Sequence, residues 1–409
     1  MKPLRVAVVG AGVAGAIVAK GLAALPDVDV LCVDQADPSE MARQATALNL
    51  GPNALRVLRA LDPALYADVR AASLPWRTWR MWFADGQPLF RLALSDLVDE
   101  AGIRIRWAEL YRVLRAPIAA TLRYRTRVDA VRDDGDGTLA LTLTDATGTT
   151  ARSGFDLVIA ADGRFSRLRE QLCGAAPTAH LPVGMFRLMF DDAGQTRIDD
   201  YEQWFNAGPA RLLAYRVPGD GVYIGGSAPL ASAHEIDDAR KRASSLARLF
   251  AVPDGRRACD AYRYLVDAVL DQADRLHWAR QQEIAIRFRA LDGRVLFLGD
   301  AAHAMTTTLG QGATQSVEDA AVTVAVARAA ARAGRLADVP AWTARVEAVR
   351  HDRVAFVMQA SRDASDTLLP GADPIAGTLA KAEPPFLATL ARIFADTPDL
   401  ERIARPATA

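Results

Sequence analysis

The chain has 409 residues, of which 49 are basic and 49 acidic, so its formal charge is zero; 51% of it is hydrophobic. At roughly 150 residues per domain the length suggests two or three domains, and the apolar share excludes a disordered chain. The charge balance argues against a nucleic-acid groove, which needs a net basic face, and against a polybasic membrane anchor.

Leu4 to Val9 is a continuous apolar run that reads as a buried parallel strand. Gly10-Ala-Gly-Val-Ala-Gly15 follows, then a helical stretch from Ala16 to Leu25 and a second strand, Val28 to Val33, ending in Asp34. Leu74 to Phe83 holds Trp76, Trp79 and Trp82 before an Ala84-Asp-Gly-Gln turn. Glu109 to Leu114 reads as helix. Leu122 to Val131 and Leu139 to Leu143 alternate about a Gly-Asp-Gly turn and read as a hairpin. Asp156 to Ala160 is another buried strand, closing at Asp162-Gly163. Short alternating segments from Gly184 to Pro229, with a Pro218-Gly-Asp-Gly221 turn, suggest an antiparallel sheet. Ala239 to Phe250 and Tyr262 to Leu276 read as helices. Arg294 to Leu298 is a strand that leads through Gly299-Asp300 into a long Ala/Val-rich helix, and the remainder looks helical.

Four lysines (Lys2, Lys20, Lys241 and Lys381) stand among the basic residues, and the arginine excess reads as compositional. Cys32, Cys173 and Cys259 show neither a disulfide framework nor metal-ligand spacing, so no metal and a reducing cytoplasm are expected. Val6 to Ala19 is uncharged but too short, and too broken by glycine, to cross a bilayer.

The chemistry lies in three turns. In the first, Gly10 permits a tight turn, Gly12 lets backbone approach a pyrophosphate, and Gly15 lets the helix pack on the strand. Asp34, 24 positions after Gly10, can accept hydrogen bonds from a ribose. In the second, Asp162-Gly163-Arg-Phe-Ser166-Arg167 ends a strand with a basic helix start behind it. In the third, Gly299-Asp300-Ala-Ala-His303 ends a strand, and Gly310-Gln-Gly312-Ala-Thr opens a helix whose N-terminus can stabilise negative charge.

With these three segments in this order, and Leu50-Gly-Pro-Asn53 after the second strand, the chain resembles the class A single-component FAD-dependent aromatic monooxygenases, para-hydroxybenzoate hydroxylase-like, over nearly its whole length. The resemblance implies an α/β fold: a Rossmann-like, GR2-type FAD-binding domain with an inserted antiparallel-sheet substrate domain and C-terminal helices. By position, the FAD-binding domain takes 1–72, 105–180 and 285–335, the substrate domain 73–104 and 181–284, and a helical region 336–409. It also implies FAD, NADH or NADPH as co-substrate, O2, and hydroxylation of a small aromatic or N-heteroaromatic ring through a flavin C4a-hydroperoxide. The alternative is a flavin reductase or dehydrogenase on the same fold. Nucleic-acid and membrane partners are not expected, and the chain would be a monomer or homodimer.

Carried over by position, Gly10, Gly12, Gly15 and Asp34 hold the ADP part of FAD, Asp162 and Gly163 support the pyrophosphate and reductant side, and Ala14, Gln35, Arg43, Arg106 and Val128 join them as cofactor-binding candidates. Asp300, Leu309, Gly310, Gly312 and Ala313 serve the ribityl chain and ring. The chain departs from the family at Ala45-Thr46-Ala47, where Gly-Ala-Gly is usual, at Trp107, where an Arg is usual and Arg106 stands beside it, and at Thr307, where Pro is usual. His303 reads as a structural residue of its turn.

Candidates for the substrate side are Arg211, Tyr215, Tyr223 and Asn49. Arg211, Leu213 and Tyr215 share a strand face; with a four-residue turn at 218–221, Tyr223 falls on the opposite face, so register decides. Asn49 either faces the substrate or bonds its own turn. The three tryptophans either line a ring pocket or pack the core. The segment around Arg211 and Tyr223 looks most like the pyridine-ring hydroxylases.

Overall fold

A computed structural model describes residues 2–42, 46–175, 178–192, 198–206, 208, 210–230, 235–252 and 256–405. Leu4–Val9 lies inside a six-stranded sheet, flanked in parallel by Val28–Val33 and Leu157–Ala160. Val6, Ala7 and Val8 are fully buried, as a strand covered on both faces requires. Val295–Phe297 extends the parallel order beyond Leu157–Ala160, and a short antiparallel strand, Arg289–Ala290, closes that edge. The strands therefore end together, which brings Gly10, Asp34 and Ala161 to one rim, where open α/β sheets bind ligands.

The expected Leu122–Val131 strand is two. Leu122–Arg123 pairs with the edge of the parallel sheet at Cys32, whereas Arg127–Asp133 pairs with Leu139–Asp145. Arg125 between them has a φ of 51°, a left-handed conformation that no strand can carry.

A seven-stranded sheet runs in the order His277–Ile284, Thr178–Asp191, Gly221–Pro229, Arg211–Arg216, Tyr201–Phe205, Thr78–Phe83, Pro88–Ala93. It is mixed rather than wholly antiparallel, because Tyr201–Phe205 pairs in parallel with Thr78–Phe83. Those strands come from distant parts of the chain, so no hairpin dictates their direction. The hairpin after Arg216 also differs from expectation. Arg216 pairs with Val222 and Tyr215 with Tyr223, which leaves a three-residue turn, Pro218 to Asp220. Tyr223 consequently shares the face of Arg211, through a shorter turn than the sequence reading assumed.

Phe186, Leu212 and Ile224 on the other face pack against Leu265 and Val269 of the helix Asp260–Asp271. The long helix is interrupted: Asp300–His303 is one turn, and Gln311–Arg332 begins after residues that lead to Gly310. Gln311–Arg332 is buried nearly all round between Val13–Ala23 and Val339–Asp363, which explains its small side chains. The expected helix at 239–250 is divided by extended backbone at Arg242. Among the described residues, no helix is long and apolar enough to cross a membrane.

Candidate functional site

A cavity of about 320 Å³ opens at the rim of the parallel sheet, lined by Gly10, Gly12, Asp34, Gln35, Val128, Asp162 and Gly163 among others. Glycine is obligatory at its base. Gly10 has a φ of 92°, and a Cβ on Gly15 would lie 1.9 Å from the Gly10 carbonyl oxygen. At Gly12 a Cβ would meet nothing nearer than the Tyr111 hydroxyl at 3.9 Å, so the space it leaves belongs to the cavity. Ala14 is buried within the helix Val13–Ala23, whose first turn has no side-chain cap and keeps N–H groups free for an anion.

Asp34 holds the turn as well as facing the cavity. Its Oδ2 accepts from the Ala11 N–H (2.8 Å) and from Arg115 (3.0 Å), and its Oδ1 accepts from the Ala36 N–H (2.8 Å). Arg115 also donates to the Ala11 carbonyl at 2.7 Å and lies 4.3 Å from the centroid of the Tyr111 ring. Trp107, Tyr111 and Arg115 all line the cavity from the helix Trp107–Arg115. Arg106 does not join them: its guanidinium donates to the Pro218 carbonyl and pairs with Asp191 at 2.7 Å. The arginine that this helix brings to the cavity is therefore Arg115, two helical turns beyond Arg106, and Arg127 and Arg167 line the cavity as well. Arg43 and Ala45 lie outside the described residues.

The Asp162 carboxyl is buried; burial pushes its pKa up, and its Oδ1 has no partner among the described residues. Such an orphan acceptor beside an uncapped helix fits a ligand that brings both hydroxyls and phosphates. FAD meets that description, with Gly10, Gly12, Asp34, Arg115 and Asp162 the residues that would hold its ADP half.

The third turn is braced from behind. Asp319 accepts from the Gly299 N–H (2.8 Å) and meets His303 Nε2 at 2.7 Å, so His303 is a brace and not a free base. Arg350, fully buried, donates to Asp319 (2.8 Å), Glu318 (2.6 Å) and Gln315 (2.6 Å). Asn53 donates to Glu318 at 2.6 Å, tying the Pro-Asn segment into the same network. Gly310 is left-handed (φ 64°), and a Cβ there would sit 2.7 Å from the Asn49 amide nitrogen. Asn49 thus flanks the start of the helix Gln311–Arg332, which also lacks a side-chain cap. Asp300 lies against Gly312, Leu309 is buried, and Ala313 is half-buried. Thr307 uses what a proline there would lack: its N–H donates to Gln281 Oε1 at 3.0 Å.

A second, smaller cavity of about 50 Å³ lies between the seven-stranded sheet and residues 307–308, lined by Trp79, Gln203, Arg211, Gln281, Thr307 and Lys381 among others. Three buried polar atoms around it lack partners among the described residues: Trp79 Nε1, Gln203 Oε1 and Arg211 Nε. Burial lowers the Arg211 pKa to about 10. Trp76 and Trp82 bond to Thr78 and Glu202 instead, so only Trp79 of the tryptophan cluster lines this cavity.

Tyr215 and Tyr223 share the Arg211 face but do not line the cavity. They stack on each other at 4.7 Å, and Tyr215 stacks on Tyr201 at 5.7 Å. Burial pushes both hydroxyls well above the usual phenol range, so neither is a base at neutral pH. Tyr201, which does line the cavity, is pushed up to about 12, and its oxygen accepts from Gln203 Nε2 at 3.0 Å. Sequence reasoning missed Tyr201, Gln203, Gln281 and Lys381 because they converge from three separate segments. Arg115 was within reach: positions 107, 111 and 115 share one helix face.

Residues 3–335 match the model of the FAD binding domain family. The chain is 30% identical to the 3-amino-4-hydroxybenzoate 2-monooxygenase of Streptomyces cremeus, over 78% of this chain and 77% of the relative. It is 26% identical to the 6-hydroxynicotinate 3-monooxygenase of Bordetella bronchiseptica, over 78% and 81%. Its fold is similar to the crystal structure of Klebsiella pneumoniae HpxO complexed with FAD and uric acid, with a TM-score of 0.79 at 22% identity over 97% of each chain.

Proposed function

Since the chain belongs to the FAD-binding family of the class A flavin monooxygenases and is an FAD-dependent enzyme of that kind, we propose that it hydroxylates a small ring, aromatic or N-heteroaromatic, that already bears a hydroxyl. The observation that carries this reading is the second cavity: buried donors and acceptors without partners among the described residues surround a space that abuts Thr307 and Thr308. When bound and reduced by NAD(P)H, FAD supplies the chemistry of dioxygen activation and oxygen transfer. The protein's part is to bind and orient the ring, to exclude water, and to hold charge.

Asp300, Gly310 and Gly312 would hold the ribityl and ring end of the cofactor, with Asn49 beside them. Arg211, a buried charged donor whose Nε has no partner among the described residues, would hold the ring in place. Tyr215 and Tyr223, protonated at neutral pH, would support Tyr201 from behind through their stack rather than move a proton. In this reading the FAD-binding residues fall in 1–72, 105–180 and 285–335. The large sheet, contributed mainly by 73–104 and 181–284, is inserted between them, and 336–409 supplies covering helices.

Arg211→Ala tests the site. The Kd of a bound hydroxylated ring should rise on the order of tenfold or more, as loss of a charged hydrogen-bond donor implies, while FAD content stays at the wild-type level. An unchanged Kd would remove Arg211 from the site.

A further inference from the structure

The cavity at Arg211 contains a second buried cation. Lys381 is only 4% exposed and is the one lysine buried among the described residues, in a chain with four lysines. It enters from the C-terminal region, just after the helix Pro374–Ala380. Its Nζ donates to Asp366 at 2.7 Å and to the Gly377 carbonyl at 3.2 Å, and it lies 5.7 Å from the centroid of the Phe386 ring. An ammonium has three protons, so one is left without an oxygen acceptor among the described residues. Among the described residues Arg211 commits a single N–H, to the Thr367 carbonyl at 3.4 Å.

The charges do not balance. The residues lining this cavity include Arg211 and Lys381 but no aspartate or glutamate. The nearest counter-charge, Asp366, turns outward with 56% of its side chain exposed. Two desolvated like charges against one solvated carboxylate are costly unless a further anion joins them. A cavity this small, with a planar guanidinium on one side and an ammonium on the other, suits a carboxylate.

We propose that Lys381 is a specificity-determining residue that, together with Arg211, seats a carboxylate substituent of the ring substrate. The proposal rests on the second cavity being the substrate site. It makes the C-terminal region part of substrate selection and narrows the substrates to hydroxylated ring acids.

The test is a set of binding titrations on the oxidised holoenzyme with two matched pairs: 6-hydroxynicotinate against 6-hydroxynicotinamide, and 4-hydroxybenzoate against 4-hydroxybenzamide. Wild type should bind at least one acid on the order of tenfold tighter than its amide, the scale of one charged hydrogen bond. Lys381→Met should erase most of that preference by weakening the acid, with the amide within about twofold. Asp366→Asn should act in the opposite direction and tighten the acid, because it removes the anion competing for Lys381. A salt bridge with a merely structural role would instead make both variants move binding the same way.

Equal binding of acid and amide by wild type, binding of neither, a preference intact in Lys381→Met, or weaker acid binding in Asp366→Asn would each overturn the proposal. Should Lys381→Met fail to fold, the exposed Asp366→Asn change decides alone: tighter acid binding supports the proposal, and unchanged or weaker binding overturns it. FAD content and ring-stimulated NAD(P)H oxidation separate the two levels. If a neutral ring stimulates oxidation and the acid has no advantage, the carboxylate seat fails and the monooxygenase reading stands.

Discussion

Arg350→Met is expected to cost about 3–5 kcal/mol of stability, the range for removing one partner from a buried ion pair. Glu318 and Asp319 are both fully buried, and Arg350 bonds to each. Without it the two carboxylates remain in the interior, Glu318 with Arg353, Asn53 and Gln315 and Asp319 with His303 and the Gly299 N–H. The loss extends to the cofactor end, because Asp319 also holds the Gly299 N–H that sets the turn before Asp300. The variant should therefore release FAD at a lower temperature than wild type.

The pH dependence has a definite sign. Burial alone would raise both carboxyls, but the facing cations reverse this and hold both below the usual carboxylate range. A carboxyl depressed in the fold contributes stability that is present above its unfolded pKa of about 4 and is lost as pH falls toward the folded value. Wild type should thus weaken below about pH 4. In Arg350→Met burial dominates, both carboxyls rise, and acid protonates them within the fold. The stability gap between the two proteins should then be smaller at pH 5 than at pH 7. A gap that is constant or widens over that range would contradict the assignment of the network.

The second large effect separates two glycines three residues apart. Gly15→Ala should yield protein without FAD and with a lowered thermal midpoint, because its Cβ would stand 1.9 Å from the Gly10 oxygen and 3.2 Å from Ala161 Cβ. Helix and strand must move apart, and the turn between them is the proposed pyrophosphate site. Gly12→Ala meets no protein atom nearer than 3.9 Å, so the apoprotein should keep its wild-type midpoint. The added methyl group occupies space on the cavity side, and FAD affinity should fall by about 1–3 kcal/mol, the usual cost of overpacking. Equal loss of midpoint in both variants would show that Gly12 is a packing residue. Wild-type FAD affinity in Gly12→Ala would place the pyrophosphate elsewhere.

Whether a residue could be placed from sequence depended on how local its partners are. The three turns could be read because strand, glycine and helix follow one another within a few residues, and their positive φ angles demand glycine. The helix arginine that lines the first cavity stands nine positions beyond the one the resemblance pointed to. Arg106 matched the family position, but at the N-terminal edge of the helix it turns toward Asp191, while Arg115 reaches back to Asp34. The side on which Tyr223 falls depended on one residue of turn length, which flips every following side chain. Lys381 carried no local signal. Its role arises because Asp366, Arg211 and the Thr307–Thr308 segment meet it from positions far apart in the chain. Nothing within a few residues of Lys381 marks it as different from a surface lysine.

The most direct test of the account is oxygen incorporation under heavy-isotope dioxygen. The holoenzyme is supplied with NAD(P)H and a hydroxylated ring acid that stimulates flavin reduction, and the product is read by mass spectrometry. The account predicts one labelled oxygen atom per product molecule, in amounts matching the ring consumed, and none from labelled water. A chain that oxidises NAD(P)H in response to such rings but leaves them unlabelled would be a reductase on this fold, and the monooxygenase account would be wrong.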